Sequence, residues 1–104
     1  MIKLTVMYPN GSDTKFDIGY YKNKHLPMVA ELLGNAAKKI EFEIGLGSAV
    51  PGEPAPYVGI THITFESLKT FQGSFGSNAK EIKADGPNYT NVSPIIQISE
   101  IVLG

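Results

Sequence analysis

Phe16-Asp17-Ile18-Gly19-Tyr20-Tyr21-Lys22-Asn23-Lys24-His25-Leu26-Pro27-Met28-Val29, residues 16–29, is the stretch that organises the chain. It predicts an amphipathic helix that is capped by Asp17, breaks at His25 and restarts at Pro27. Proline disfavours helical geometry in the residue before it but suits a first helical turn. A core-facing stripe recurs at three- and four-residue intervals, and it consists of Leu26, Val29, Leu32, Leu33 and Ala36. His25, at the predicted break, is therefore the first candidate functional side chain.

The segments on either side alternate between strand and helix periodicity. Alternation of apolar and polar residues predicts strands at 2–8, 40–46, 57–65 and 95–103. Helical spacing predicts a first helix that ends near Gly34, a second from Ser67 to Gly76, and a short piece at 78–84. The order β-α-β-β-α-β predicts an α+β fold of the ferredoxin-like type, with both helices on one face of an antiparallel sheet. At 104 residues, one domain over 1–104 is expected.

The predicted strands carry apolar residues on both faces, although two helices can cover only one. In the last strand, Ile95 and Ile101 alternate with Ile96, Ile98 and Val102. A bare apolar sheet face is unfavourable in water, so we expect a symmetric homodimer packed sheet to sheet. Polar residues also occur on the sheet face that the helices do not cover, and they suggest a partly hollow, ligand-sized interior.

Composition excludes several classes of function. The net charge is −1, with 9 basic and 10 acidic residues and no basic cluster, so no nucleic-acid partner is expected. The chain has no cysteine, which excludes thiol nucleophiles, disulfides and thiolate metal sites. Its first residues alternate like a strand rather than a signal peptide, and no apolar run approaches the ~18 residues of a membrane span. We therefore expect a cytoplasmic protein with no membrane association.

A set of short motifs in fixed order resembles the EthD family. The motifs are Phe16-Asp17-x-x-Tyr20-Tyr21-x-x-x-His25-x-Pro27-Met28-Val29, Pro56-Tyr57-Val58, Phe65-x-Ser67, and Ala84-Asp85-x-Pro87-Asn88-Tyr89-Thr90 followed by Pro94-Ile95-Ile96-Gln97-Ile98-Ser99. The resemblance implies a dimeric α+β barrel, in which each subunit encloses a pocket between its sheet and its helices. The family is named after a protein of ethyl tert-butyl ether degradation. Its wider superfamily includes muconolactone isomerases, polyketide cyclases and cofactor-free monooxygenases.

In EthD-like lactone isomerases a histidine of the first helix is the acid–base candidate, and His25 occupies the matching position. Two interpretations of His25 are open, because it is either an acid–base group or a helix-end histidine that bonds a freed carbonyl. Asp85 is either a partner that orients His25 or a turn aspartate that bonds its own backbone. His62 lies mid-strand, where spacing does not distinguish a core position from a pocket wall.

The remaining candidates would bind substrate. Tyr21 and Tyr89 could bring hydroxyl groups to a ligand, or serve as packing with a polar tip, as could Tyr20. Asn88 could donate a hydrogen bond to a carbonyl oxygen, or cap its loop. No metal-ligand spacing, dinucleotide fingerprint or phosphate loop occurs, so neither a metal nor a cofactor is expected.

Three functional hypotheses follow. The first is a cofactor-independent catabolic enzyme of isomerase, cyclase or oxidoreductase type, in which His25 transfers a proton on a small apolar carbonyl, lactone or aromatic compound. The second is a non-catalytic ligand-binding or accessory protein of an oxidative degradation pathway. The third is a haem-handling protein with His25 and His62 as axial ligands.

Overall fold

The computed structural model describes residues 1–104 and contains one four-stranded antiparallel sheet. The strands are β1 (Ile2–Pro9), β2 (Lys39–Ile44), β3 (Tyr57–Phe65) and β4 (Ile95–Glu100), and they lie side by side in the order β2-β3-β1-β4. One helical connection joins β1 to β2 and a second joins β3 to β4. This is the predicted ferredoxin-like α+β topology, so the fold-class prediction is confirmed.

Each helical connection is a continuous rod with a wider π-helical turn in its middle. The first rod comprises α1 (Ile18–Tyr20), a π turn (Tyr21–His25) and α2 (Leu26–Leu33). The second comprises α3 (Leu68–Phe71), a π turn (Gln72–Gly76) and α4 (Ser77–Ala84). Short 3₁₀ turns follow at Gly34–Ala36 and Gly86–Asn88. None of these helices combines the length and the apolar character that crossing a bilayer requires.

The predicted helix break at His25 is wrong. The backbone of His25 is helical, with φ −68° and ψ −56°, and the N–H of Leu26 donates to the carbonyl of Tyr21, five residues earlier. In a regular helix Pro27 would lack its hydrogen bond and its ring would clash with the carbonyl of Asn23. The π turn that immediately precedes α2 provides a wider local geometry, so the chain accommodates this proline without interrupting the rod.

Other predicted ends also shift. Ser67 caps α3 and Asp17 caps α1, as expected, and Gly34 ends the first rod with a φ of 54° that favours glycine. Gly76 does not end the second helix, because it keeps helical backbone angles and joins the π turn to α4. Strand β2 stops at Ile44, and the Leu46 side chain is fully exposed.

The core lies between the two helical rods and one face of the sheet. Its sheet side is formed by alternate residues of β1 and β3, among them Leu4, Ile63 and Phe65. Val29 and Leu33 of α2 pack against them. Only 13 of the 104 residues are buried, because the opposite face of the sheet has no helical cover within the chain.

Candidate functional site

A cavity of about 260 Å³ lies between the sheet and the helical rods. Twelve of its nineteen lining residues are hydrophobic, including Val6, Val29 and Ile63, so most of its wall is apolar. Its polar or ionisable side chains include Tyr8 of β1, Tyr21 and His25 of the first π turn, Thr61 of β3, and Tyr89, and Lys83 and Ser93 also line it. Cavities of this kind, with a few convergent polar groups in an apolar wall, are typical small-molecule sites.

His25 and Asp85 form the only hydrogen-bonded histidine–carboxylate pair in contact with this cavity. His25 projects from the first π turn and is 3% exposed, and its Nδ1 lies 2.9 Å from Oδ2 of Asp85 at the end of α4. Because an ionised carboxylate only accepts hydrogen bonds, Nδ1 carries the proton and neutral His25 keeps a lone pair on Nε2. Nε2 has no partner in the chain but is not sealed from solvent-accessible space. It is therefore available to a molecule in the cavity that His25 lines.

The environment keeps His25 neutral and Asp85 ionised near pH 7. Burial lowers the pKa of His25, and the opposing attraction of Asp85 does not fully compensate. Burial alone would raise the pKa of Asp85, but the hydrogen bonds that the carboxylate accepts outweigh this effect and lower its pKa. A neutral imidazole beside an ionised carboxylate is the arrangement of a general base with an orienting partner.

Two further side chains hold Asp85 in position. The Tyr20 hydroxyl donates to Oδ1 at 2.8 Å, and the Asn88 amide donates to the same oxygen at 2.9 Å. Both Asp85 oxygens thus accept hydrogen bonds, and the carboxylate is fixed relative to the first helical rod. The bond to Asp85 also raises the pKa of Tyr20, which keeps its hydroxyl a donor.

A line of four buried hydroxyl groups runs beside His25. Tyr89 and Tyr8 are 2.7 Å apart, Tyr8 and Tyr21 are 3.5 Å apart, and Tyr21 and Thr61 are 2.6 Å apart. Burial raises the pKa of Tyr8 and of Tyr21, and it raises the pKa of Tyr89 to about 12. All three phenols therefore remain protonated at neutral pH.

Backbone contacts bring Tyr89 to the helix. Phe16 pairs with Thr90 in an isolated β-bridge, and the N–H of Asp17 donates to the carbonyl of Tyr89 at 2.7 Å. The centre of the Tyr89 ring then lies 4.6 Å from that of His25. The imidazole also stacks at 5.0 Å on Tyr21, which begins the same π turn. These aromatic contacts restrict the rotation of the imidazole.

The structure brings four of the six predicted site residues together at the cavity: His25, Tyr21 and Tyr89 line it, and Asp85 bonds to His25. Asn88 does not line the cavity, since its amide is bonded to Asp85.

His62 lies elsewhere, on the uncovered face of the sheet. Its Nε2 is 2.7 Å from Oε1 of Glu43, and its Nδ1 is 3.4 Å from the hydroxyl of Thr5. The two histidines therefore lie on opposite faces of the sheet, and the arrangement gives no support to a haem held between them.

Sequence reasoning did not select Tyr8 or Thr61 as site residues. Their signal was the strand alternation, which places Tyr8 beside Val6 on the helix-facing side of β1 and Thr61 beside Ile63 on that side of β3. A hydroxyl group on an otherwise apolar strand face marks such a position. No group of three histidine, aspartate or glutamate side chains is placed to hold a metal ion.

The fold and the site define a class of α+β proteins in which a ferredoxin-like sheet and its helices enclose a small, mostly apolar cavity. Residues 10–93 match the model of the EthD domain. The chain belongs to the EthD family.

Solved structures agree with this assignment. An EthD-like protein from Ralstonia eutropha is 36% identical, with a TM-score of 0.92 over 98% of this chain and 92% of that one. An ethyl tert-butyl ether degradation family protein from Bacillus halodurans is 15% identical, with a TM-score of 0.68 over 96% of this chain and 97% of that one, and it supports the fold alone. Comparison with curated protein sequences gives no match.

Proposed function

We propose that this EthD-family protein is a cofactor-independent catabolic enzyme that transfers a proton within a small apolar carbonyl, lactone or aromatic metabolite. The observation that supports the proposal is the buried His25, whose Nδ1 is held by Asp85 while its Nε2 is free at the cavity. His25 is the general base and acid, and Asp85 is its positioning residue. The reaction is of isomerase, cyclase or oxidoreductase type.

The proton balance of the isomerase form needs no other reactant. Neutral Nε2 accepts a proton from a carbon next to the carbonyl group, and the electrons of that C–H bond move toward the carbonyl oxygen. The resulting imidazolium is stabilised by the Asp85 carboxylate 2.9 Å from Nδ1. The proton then returns to a different carbon of the same molecule, which leaves His25 neutral again.

The cavity wall assists this chemistry. The apolar residues exclude water, and the exclusion strengthens every electrostatic interaction between the ligand and the polar groups. A neutral His25 side chain also has a lower desolvation cost in the cavity wall than a charged one. The site therefore suits a largely apolar ligand.

A non-catalytic ligand-binding or accessory protein is the second candidate. The observation that favours it is that four hydroxyl groups of the cavity bond one another, in the pairs Tyr8–Tyr89 and Tyr21–Thr61. Such a cavity offers binding mainly through apolar contact. A carrier would use the same pocket and leave its ligand unchanged.

One experiment separates the two candidates. Small molecules retained by the purified protein are identified by mass spectrometry, and the ligand is then incubated with the protein in D₂O. Deuterium incorporation at carbon supports the enzyme, and release without label supports the carrier. The His25→Ala variant should lose the incorporation, whereas His62→Ala, which removes a histidine on the opposite sheet face, should retain it.

We also propose that the protein is a homodimer that packs through the uncovered sheet face. One cross-strand row on that face is apolar, with Ile60, Met7 and Ile95 as neighbours on three adjacent strands. Ile95 is 51% exposed in the single chain. On the other face, Ile96 of the edge strand is also 53% exposed, so the helices leave β4 incompletely covered. A second copy of the chain packed on the uncovered face would remove the row of Ile60, Met7 and Ile95 from water.

A further inference from the structure

The hydroxyl groups of Tyr21 and Thr61 carry two protons, and only one of them is donated in a hydrogen bond within the chain. Their oxygens are 2.6 Å apart, and the bond between them needs only one of their two protons. The Tyr8 hydroxyl at 3.5 Å is oriented as a donor toward Tyr21, so it does not accept the second proton. Thr61 makes no other side-chain hydrogen bond. The Tyr21–Thr61 pair therefore keeps one O–H group without an acceptor in the chain.

This O–H group belongs to the cavity. Tyr21 is 2% exposed and Thr61 is 1% exposed, and both line the cavity wall. A buried hydroxyl that lacks an acceptor is unfavourable, and a ligand that supplies one recovers the missing hydrogen bond. Burial raises the pKa of Tyr21, so the pair is a hydrogen-bond donor rather than an anion at neutral pH.

His25 provides the complementary group. Its neutral Nε2 is an acceptor, so His25 and the Tyr21–Thr61 pair place a free acceptor and a free donor among the buried side chains of the cavity, which Lys83 and Ser93 also line. We infer that the Tyr21–Thr61 pair binds the carbonyl oxygen of the ligand, and that the ligand class is a ketone or ester with a removable hydrogen beside the carbonyl. This inference rests on the proposed function, because it takes the same cavity as the ligand site.

The donor pair and the base then act on the same group. When Nε2 of His25 removes the proton beside the carbonyl, the C–H electrons form a carbon–carbon double bond and the carbonyl π electrons move onto oxygen. The O–H group of the pair stabilises the negative charge that develops there. Return of the proton to carbon restores the carbonyl group, so atoms and electrons balance without an oxidant or reductant.

The cavity volume sets the size of suitable probes. A protein cavity of roughly 150 Å³ holds benzene, so the larger cavity in this chain should accept a bicyclic molecule. The probes are 1-tetralone and tetralin, which have the same carbon skeleton but differ in one carbonyl group.

Binding of both probes is measured by calorimetry to the wild type, to the Tyr21→Phe/Thr61→Val double variant and to Thr64→Val. Thr64 lies on the same strand but points to the opposite sheet face, so its variant is the matched control for loss of a hydroxyl. The wild type and the control should prefer 1-tetralone by a factor that falls roughly three- to tenfold in the double variant. An unchanged preference in the double variant, or no binding of 1-tetralone to the wild type, overturns the inference.

A measurement on the wild type alone tests the same hydrogen bond, even if the double variant does not fold. The infrared carbonyl stretch of bound 1-tetralone should shift to lower frequency than in an apolar solvent, and an unshifted band refutes the hydrogen bond.

Failure of the proposed function is distinguishable from failure of this inference. If 1-tetralone is preferred but the wild type does not exchange its hydrogens with D₂O, proton transfer fails and the ligand class stands. If exchange occurs without a preference, the donor pair fails and the role of His25 stands.

Discussion

Replacement of Asp85 by asparagine separates the charge of this side chain from its ability to accept a hydrogen bond. The amide oxygen of asparagine can still accept from Nδ1 of His25, but it no longer places a negative charge 2.9 Å from that nitrogen. A hydrogen bond to a charged group contributes about 1.5–3 kcal/mol and a neutral one about 0.5–1.5 kcal/mol. The imidazolium formed during proton transfer should therefore lose about 1–2 kcal/mol of stabilisation. This loss corresponds to a roughly 5- to 30-fold slower reaction.

Stability distinguishes this effect from unfolding. Asp85→Asn keeps an acceptor for His25, so the free energy of unfolding should change by less than about 1 kcal/mol. Asp85→Ala leaves the buried Nδ1–H without a partner and should lower the free energy of unfolding by about 1–3 kcal/mol. Each kcal/mol lowers Tm by about 4–8 °C in a domain of this size.

The assay follows hydrogen–deuterium exchange beside the carbonyl of 1-tetralone by ¹H NMR. The control is Glu43→Gln, which changes the second histidine–carboxylate pair, with a 2.7 Å bond to His62 outside the cavity. A wild-type exchange rate in Asp85→Asn, or an equal loss in Glu43→Gln, would refute the assigned role of Asp85. ¹⁵N NMR of the histidine rings provides a second check, because the structure requires the proton of neutral His25 to be on Nδ1.

Three other predictions concern pH, assembly and the core. Burial lowers the pKa of His25 below 6.5, so the exchange rate should already have reached its plateau at pH 7 and should fall with a midpoint below pH 6.5 as the solution is acidified. A midpoint above 6.5 contradicts a neutral base. As the pH falls, the histidine binds its proton in the unfolded chain before it does so in the folded chain, so the free energy of unfolding should decrease below about pH 6.5. It should decrease again below pH 3.8, because the pKa of Asp85 is lower in the folded chain than in the unfolded one. Denaturant titrations at a series of pH values measure both decreases. Ile95→Glu should convert the proposed dimer to a monomer in sedimentation equilibrium. Leu68→Glu is the control and should not, although Leu68 is 49% exposed and Ile95 is 51% exposed. Identical behaviour of the two variants argues against the sheet-face interface. Phe65→Ala, at a fully buried ring outside the cavity lining, should cost about 3–5 kcal/mol in the free energy of unfolding, and a loss under 1 kcal/mol would contradict its place in the core.

Local patterns in the sequence were sufficient for the order of elements and for the faces of the strands. Alternation along β1 and β3 reports which side meets the helices, and the caps Asp17 and Ser67 mark where helices begin. The same local rules misplaced the end at Gly76 and the break before Pro27, because each rod continues through a π turn, whose wider geometry the rules for α-helix ends do not describe.

The composition of the site was only partly predictable. His25, Tyr21 and Asp85 were recognised as candidates by their position and by family resemblance, but the contact between His25 and Asp85 joins residues 60 positions apart. Tyr8 and Tyr89 meet across 81 positions. Periodicity defines the face on which a side chain lies, and it contains no information about which distant side chain will face it.

The sequence by itself therefore determined an α+β chain with two helices on one face of a sheet, a histidine in the first helix and an aspartate after the second. Tertiary structure alone decided that these two side chains meet, that Asn88 supports Asp85 rather than the cavity, and that His62 lies on the opposite sheet face. The physical reason is range. Hydrogen bonds act over about 3 Å, and at that scale the partners are chosen by how the two helical rods seat on the sheet.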